Sequence, residues 1–201
     1  MFDAGMPPTV PITFASNCNA VQPCGGALTG RWYYDNVCIE DSIFSRIQSA
    51  CGGASQTQIL NRSGSVAGAV MFSSNQMARS VTGTVDFTAT TTNGVCVNGF
   101  MGLGGCAQLP SLLGNFGVQG TCALGLPDGG ASTASCTCDL TFSFTDTANE
   151  TYTTSGNVIT TGSGRTFEYC VANTRLTYEE TTPAGVMNPT QDPGVSTLSR
   201  Q

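Results

Sequence analysis

The chain is expected to fold as an all-β, disulfide-braced domain, a barrel or a sandwich, and three observations predict this. Alternating apolar and polar runs recur along most of its length, broken by Gly, Asn, Pro and Ser clusters at intervals of about 8–12 residues. Charged residues make up only 10% of the chain, against roughly 25% in an average soluble domain, so Thr, Ser and other neutral polar groups must cover the surface. The 10 cysteines (Cys18, Cys24, Cys38, Cys51, Cys96, Cys106, Cys122, Cys136, Cys138 and Cys170) are even in number and spread widely, which predicts that all are paired in disulfides formed in an oxidising compartment.

All-β domains of 201 residues are commonly single and bury a sizeable core. We expect an extended, Pro-rich leader over 1–23 and one domain over 24–201. Pro7, Pro8, Pro11 and Pro23 with small neighbours suit a tether, fastened to the body through Cys18. The start of the chain, Met1 to Pro8, has neither a basic region nor an apolar core, so it is expected to be a mature secreted form that has lost its signal peptide.

The stretch Cys24 to Cys38 holds the single tryptophan and predicts the first long strand. Leu28, Gly30, Trp32, Tyr34 and Asn36 share one side of it. Ile43, Phe44 and Ile47 then fall at helical spacing after an Asp41 or Ser42 cap, and Cys51-Gly52-Gly53 stops the turn. Cys38 and Cys51 are placed to close a local loop. Asn61-Arg62-Ser63-Gly64 predicts a turn between strands at 56–60 and 65–72, and Asn93-Gly94 predicts a hairpin after a long strand at 78–92. The Gly-rich stretch 99–117 holds one or two helical turns and is either a lid over one end of the sheet or a plain connection pinned by Cys106.

Strands are expected again at 118–124, 135–145, 150–154, 158–161, 165–172 and 175–181, with turns at Pro127-Asp128-Gly129-Gly130, Ser155-Gly156-Asn157 and Asn173-Thr174. Cys136 and Cys138 lie two apart on an extended strand and are not expected to bond each other. The segment 183–193 is irregular, and 195–199 is a candidate last strand.

The inventory excludes several functions. There is no Lys and no His, and seven Lys plus Arg face 13 acidic residues for a net charge of −6. Scattered arginines do not make a phosphate-binding surface, so no nucleic-acid partner is expected. The missing His removes His-based triads and most zinc chemistry, and no cofactor or metal is expected. An EF-hand spacing is lacking around Asp128 and Asp139, which are better explained as turn and strand positions. Glu40-Asp41 and Glu179-Glu180 are adjacent, so on a strand their side chains face opposite ways and cannot share one bond; Asp86 with Glu168 has nothing else to support it. The chain is not expected to be an enzyme. No apolar run is long enough for a transmembrane helix, and a lipid tether ahead of residue 1 is compatible with the sequence.

Gly30-Arg31-Trp32 resembles the Gly-x-Trp signature of lipocalins and lipocalin-like barrels. Over residues 24 to 181, the spacing of Cys24-Gly25-Gly26, Cys38, Cys136-x-Cys138, Thr153 to Val158 and Tyr169-Cys170-Val171 is similar to cysteine-rich lipocalin-like secreted proteins and lipoproteins of some Gram-negative bacteria. The resemblance implies an antiparallel up-and-down β-barrel of about 8–10 strands, a secreted or cell-envelope location, and a tryptophan plug covered by a late arginine. Arg175 is the first candidate for that arginine and Arg200 the second.

Two functional readings follow. The first is a barrel that binds a small apolar ligand, with Tyr34, Phe87, Phe142, Phe144, Phe167 and Tyr169 as candidate lining residues. These side chains, with Leu140, are equally suited to fill a solid core. The second is a structural or interaction module displayed on the cell surface or in an extracellular assembly, where a low-charge, hydroxyl-rich exterior opposes association little.

Overall fold

A computed structural model of the chain describes residues 7–98, 105–114, 117–125, 134–182 and 194–200. The strands are β1 (Thr9–Ala15), β2 (Gly30–Glu40), β3 (Thr57–Ser73), β4 (Gln76–Thr91), β5 (Val118–Gly125), β6 (Ser135–Ser155), β7 (Val158–Thr161), β8 (Thr166–Ala172), β9 (Arg175–Glu180) and β10 (Gly194–Ser199). Three short helices, α1 (Ser45–Ala50), α2 (Gly94–Asn98) and α3 (Leu109–Gly114), are joined by 3₁₀ turns at Asp41–Phe44 and Gly105–Gln108. The strands form one sheet in the order β4-β3-β1-β2-β10-β9-β8-β7-β6-β5, and β6 also pairs with β4, so the hydrogen-bonded order returns to its start.

The residues gather in two compact units, where the sequence suggested one domain after a leader. The first unit takes Met1–Asp41, Ser65–Gly83 and Phe144–Gln201; the second takes Ser42–Gly64 and Thr84–Ser143.

In the first unit the expected leader is a packed strand. β1 pairs antiparallel with β3 through Thr9↔Ala67, Val10↔Val66 and Pro11↔Ser65, then parallel with β2 from Ile12↔Val37 to Ala15↔Glu40. β2 and β3 pair directly at Gly30↔Phe72 to Tyr33↔Ala69, so β1 enters where they part. Pro11 falls where the pairing passes from β3 to β2, a position a donor-less residue tolerates. This parallel pairing departs from the purely antiparallel order expected. The prolines concealed a strand because Val10, Ile12 and Phe14 alternate too briefly to stand out.

The predicted face of β2 holds as far as Tyr34 and then switches. β10 pairs Leu198 with Tyr34 but Thr197 with Asn36, leaving Asp35 as an extra residue. Such a bulge moves the following side chains to the other face, and Val37 is buried while Asn36 is exposed. β10 itself fulfils the expectation of a last strand at 195–199, lying between β2 and β9. Trp32, Leu176 and Leu198 are 0% exposed and centre the core of this unit. Gly68 lets β3 approach β4 closely, since a Cβ there would sit 2.3 Å from the Ser80 carbonyl oxygen.

The expected turn at 61–64 and break at 146–149 do not exist. β3 and β6 run straight through them, β3 with Asn61 at a positive φ of 49°. The turn between β3 and β4 is Ser74-Asn75, with Ser74 at φ 52°. Ser63 and Ser65 at the first false break and Thr145 and Thr147 at the second suit an exposed strand as well as a loop. The Gly156-Asn157 turn joins β6 to β7 as expected, with Ser155 opposite Val158.

In the second unit, the predicted helical turn after Glu40 is present as Asp41–Phe44 and α1. Asn93-Gly94 does not make a hairpin. Asn93 Oδ1 accepts the Val95 N–H at 3.0 Å and the Cys96 N–H at 3.3 Å, so the residue caps α2. Asn serves hairpin turns and helix caps alike, because its side chain can replace backbone partners in both. The stretch read as lid or connection holds the two helical turns at 105–114, its remainder at 99–104 and 115–116 lying outside the described residues. The Pro127 turn and the irregular 183–193 also lie outside them.

All ten cysteines are bonded: Cys18–Cys38 and Cys24–Cys170 in the first unit, Cys51–Cys96, Cys106–Cys136 and Cys122–Cys138 in the second. The local Cys38–Cys51 bridge is therefore replaced by two longer links: Cys18–Cys38 ties the segment after β1 to β2, and Cys51–Cys96 ties the end of α1 to α2. Five bridges suit folding in an oxidising, extracytoplasmic environment. Among the described residues no helix is long and apolar enough to cross a membrane.

Candidate functional site

The buried face of the first unit carries charge where alternation calls for apolar residues. On β4 the buried positions run Met77, Arg79, Val81, so Arg79 points to the core side. Arg165 lies just before β8, Glu180 ends β9, and Asp146 occupies β6. Arg165 grips Glu180 with two hydrogen bonds, Nε to Oε1 at 2.9 Å and Nη2 to Oε2 at 2.6 Å. Both side chains are almost fully buried, 3% and 2% exposed. Asp146 Oδ2 lies 2.5 Å from Arg79 Nη2 and 3.6 Å from Arg165 Nη1, and at 21% exposure it is the most open of the four.

The guanidiniums of Arg165 and Arg79 also lie over the Phe167 ring, at 5.1 and 6.0 Å from its centroid. Phe167 meets the Tyr178 ring edge-on at 5.7 Å, and the Tyr178 and Tyr34 hydroxyls are 2.7 Å apart. The Thr182 hydroxyl donates to Glu180 Oε1 at 2.6 Å. Two arginines and two carboxylates balance in charge, and a dry ion pair is stable only when matched in this way. The Arg165 fork is occupied by the Glu180 carboxylate, which fills the place a ligand's acidic group would take against the guanidinium and the Phe167 ring.

Four of the six candidate lining residues belong to this unit. Tyr34 and Phe167 are joined through Tyr178. Tyr169 is buried beside them in sequence and donates to the Gly26 carbonyl at 3.3 Å. Burial first, and the Tyr152 phenol second, raise its pKa above the ordinary 10.0. Phe144 is half-buried, its ring filling the space above Gly83 where a side chain would otherwise stand. Phe87 and Phe142 belong to the second unit: Phe87 packs on Phe44 with centroids 4.9 Å apart, and half-buried Phe142 lies near Gly117.

Arg79, Asp146, Arg165, Glu180 and Tyr178 were missed from sequence. The available signal was Arg79, a charge in the apolar register of a strand. The expectation that Glu180 and Glu179 face apart is met: Glu179 Oε2 accepts the Val21 N–H at 3.1 Å while Glu180 holds Arg165. Asp86 and Asp139 accept hydrogen bonds from Thr141 and Thr88, and Glu168 stands opposite Glu179.

Trp32 is buried, and its indole N–H donates to the Leu28 carbonyl at 2.7 Å. Arg200, not Arg175, covers its ring, with Cζ 4.4 Å from the centroid and Nη2 donating to the Thr29 carbonyl at 2.6 Å. Ser199 pairs with Tyr33, which brings the next residue alongside Trp32. Gly30 makes room, since a Cβ there would stand 3.2 Å from Arg200 Nε. Arg175 instead bonds Asp35 at 2.9 Å, with both side chains exposed at 64% and 41%.

In the second unit the Sγ atoms of Cys122, Cys136 and Cys138 lie within 4.8 Å of one another. They are disulfide sulfurs, and metal binding requires thiolates. Compared with known proteins, the chain matches no family model, no curated protein and no solved structure.

Proposed function

We propose that the chain is a secreted or envelope-associated lipocalin-like β-barrel protein that binds a small ligand with an apolar body and an acidic or hydroxylated end. The observation that carries this reading is the buried cluster of Arg79, Asp146, Arg165 and Glu180 against Phe167. Replacing a buried ion pair with apolar residues of similar volume is often neutral or stabilising, so a charged core is better accounted for by recognition than by stability. Closure of the strand order and the Trp32–Arg200 contact support the lipocalin-like part. No nucleic-acid partner and no catalytic role belong to this reading.

The test is native mass spectrometry of protein recovered from its own export pathway, compared with the same sample denatured. A small mass released on denaturation, and lost from an Arg79→Met variant, is expected. A bare chain throughout favours the structural or interaction role instead. One observation supports that alternative: the Thr90 and Thr137 hydroxyls, 3.2 Å apart, and the Thr88 hydroxyl donating to Asp139 Oδ1 at 2.9 Å form a polar ladder in the second unit.

A further inference from the structure

We propose that Cys122–Cys138 and Cys106–Cys136 are an exchange-coupled pair of disulfides that passes reduction by an external thiol from Cys122 to Cys106. Cys136 and Cys138 are two apart on β6 and both buried, so they share a face. β5 stands Cys122 opposite Cys138, and the 3₁₀ turn at Gly105–Gln108 brings Cys106 to Cys136. The two bridges therefore lie side by side, with Cys136 Sγ 3.8 Å from Cys138 Sγ. Among the described residues this is the one place where a third sulfur comes so near a bridge.

Accessibility gives the exchange a direction. Cys122 is half-buried, whereas Cys106, Cys136 and Cys138 are buried. An external thiolate attacks Cys122 Sγ, forming a mixed disulfide there and expelling the Cys138 thiolate. That thiolate attacks Cys136 Sγ 3.8 Å away, forming a Cys136–Cys138 bond and expelling the Cys106 thiolate, which takes a proton from water. Each step makes one S–S bond and breaks one, so the two electrons brought by the external thiol end on Cys106. Residues two apart on a strand have Cα atoms about 6.7 Å apart, near the upper limit for a disulfide. The Cys136–Cys138 bond is thus the labile one, and the exchange is reversible. Its outcome is the release of the Gly105–Gln108 turn from β6.

The oxidised full chain is exposed to glutathione without denaturant, trapped with N-ethylmaleimide and mapped by mass spectrometry. The expected molecule carries glutathione on Cys122, maleimide on Cys106 and a Cys136–Cys138 link. Maleimide on Cys138 with Cys106–Cys136 intact overturns the proposal, as does an unreactive Cys122. Cys24 is exposed, so attack at Cys24–Cys170 is an internal comparison in which only that bridge's own partner is released. In a Cys122→Ser, Cys138→Ser double variant, labelling of Cys106 should fall to the slow rate of the buried Cys51–Cys96 bridge in the same chain. Undiminished Cys106 labelling there also overturns the relay. Should that variant fail to fold, the mapping of the unaltered chain decides alone.

Discussion

The first unit is built of strands, whereas the second fastens short helical turns to its strands through disulfides. Nine of the ten strands take part in an order that returns through the β4–β6 pairing, and all of them except parts of β3, β4 and β6 belong to the first unit. Its two disulfides attach connecting segments, Cys18 after β1 and Cys24 before β2. The second holds three disulfides, each of which ties down a short helical turn or the neighbouring strand β5. Helices of five or six residues are not stable alone. The difference teaches that a low-charge chain can hold polar and charged groups in its core where strands satisfy the backbone, and resorts to cysteine where helical turns and connections must be held.

The largest effect should come from reducing all five bridges. Each typically contributes about 2–4 kcal/mol, and in the second unit Cys96 anchors α2 while Cys106 anchors the turn at Gly105–Gln108. Hydrogen exchange followed by mass spectrometry should show protection lost over Gly94–Asn98 and Gly105–Gln108 while β8 and β9 keep theirs. Simultaneous loss in both would erase the distinction between the units.

A smaller effect tests the charged core. Arg165→Met leaves Glu180 buried without its bidentate partner and should cost about 3–5 kcal/mol. Adding Glu180→Leu should restore most of that loss, because the pair is removed together. Chemical denaturation of the two variants measures both. If the double variant is no more stable than the single, the pair is a net source of stability and the argument for recognition weakens.

Within the first unit, Trp32→Ala should cost about 3–5 kcal/mol as a core deletion. Arg200→Ala should cost less, about 1–3 kcal/mol, from the lost ring contact and carbonyl bond. Arg175→Ala, at an exposed pair, should change stability by about 0–1 kcal/mol. Equal effects at Arg175 and Arg200 would contradict the geometry around Trp32.

These residues also show what the sequence made legible. Strand periods, the Trp32 face and full pairing of the cysteines were readable because they depend on local alternation and parity. The last strand was readable in outline, but the choice between Arg175 and Arg200 was not, since it rests on the β2–β10 register and the bulge at Asp35. β1 was concealed by Pro11, and its parallel pairing with β2 joins residues 25 apart, which no local signal encodes. The charge cluster joins β4, β6, β8 and β9 positions, so only Arg79 left a trace, as an arginine in an apolar register. Asn61 and Asn93 misled for one reason: asparagine suits turns, bulges and caps equally.

The smallest effect separates the units by pH. Tyr169 lies in the first unit, its pKa raised by burial and then by Tyr152, so the folded chain binds its proton more tightly than the unfolded chain does. A group with a raised folded pKa contributes stability that is fully present below the unfolded value and is lost as pH rises past it. The contribution of Tyr169 should therefore be level below the ordinary tyrosine pKa of 10.0 and fall above it. Tyr169→Phe should lessen that alkaline fall while removing the 3.3 Å hydrogen bond to Gly26, so it should be weaker than the parent at neutral pH. Hydrogen exchange above and below that pH should register the loss first in β8, where Cys24, Gly25 and Val171 exchange backbone bonds around Tyr169. An alkaline loss confined to the second unit, or one unchanged by Tyr169→Phe, would mean that another group controls the transition.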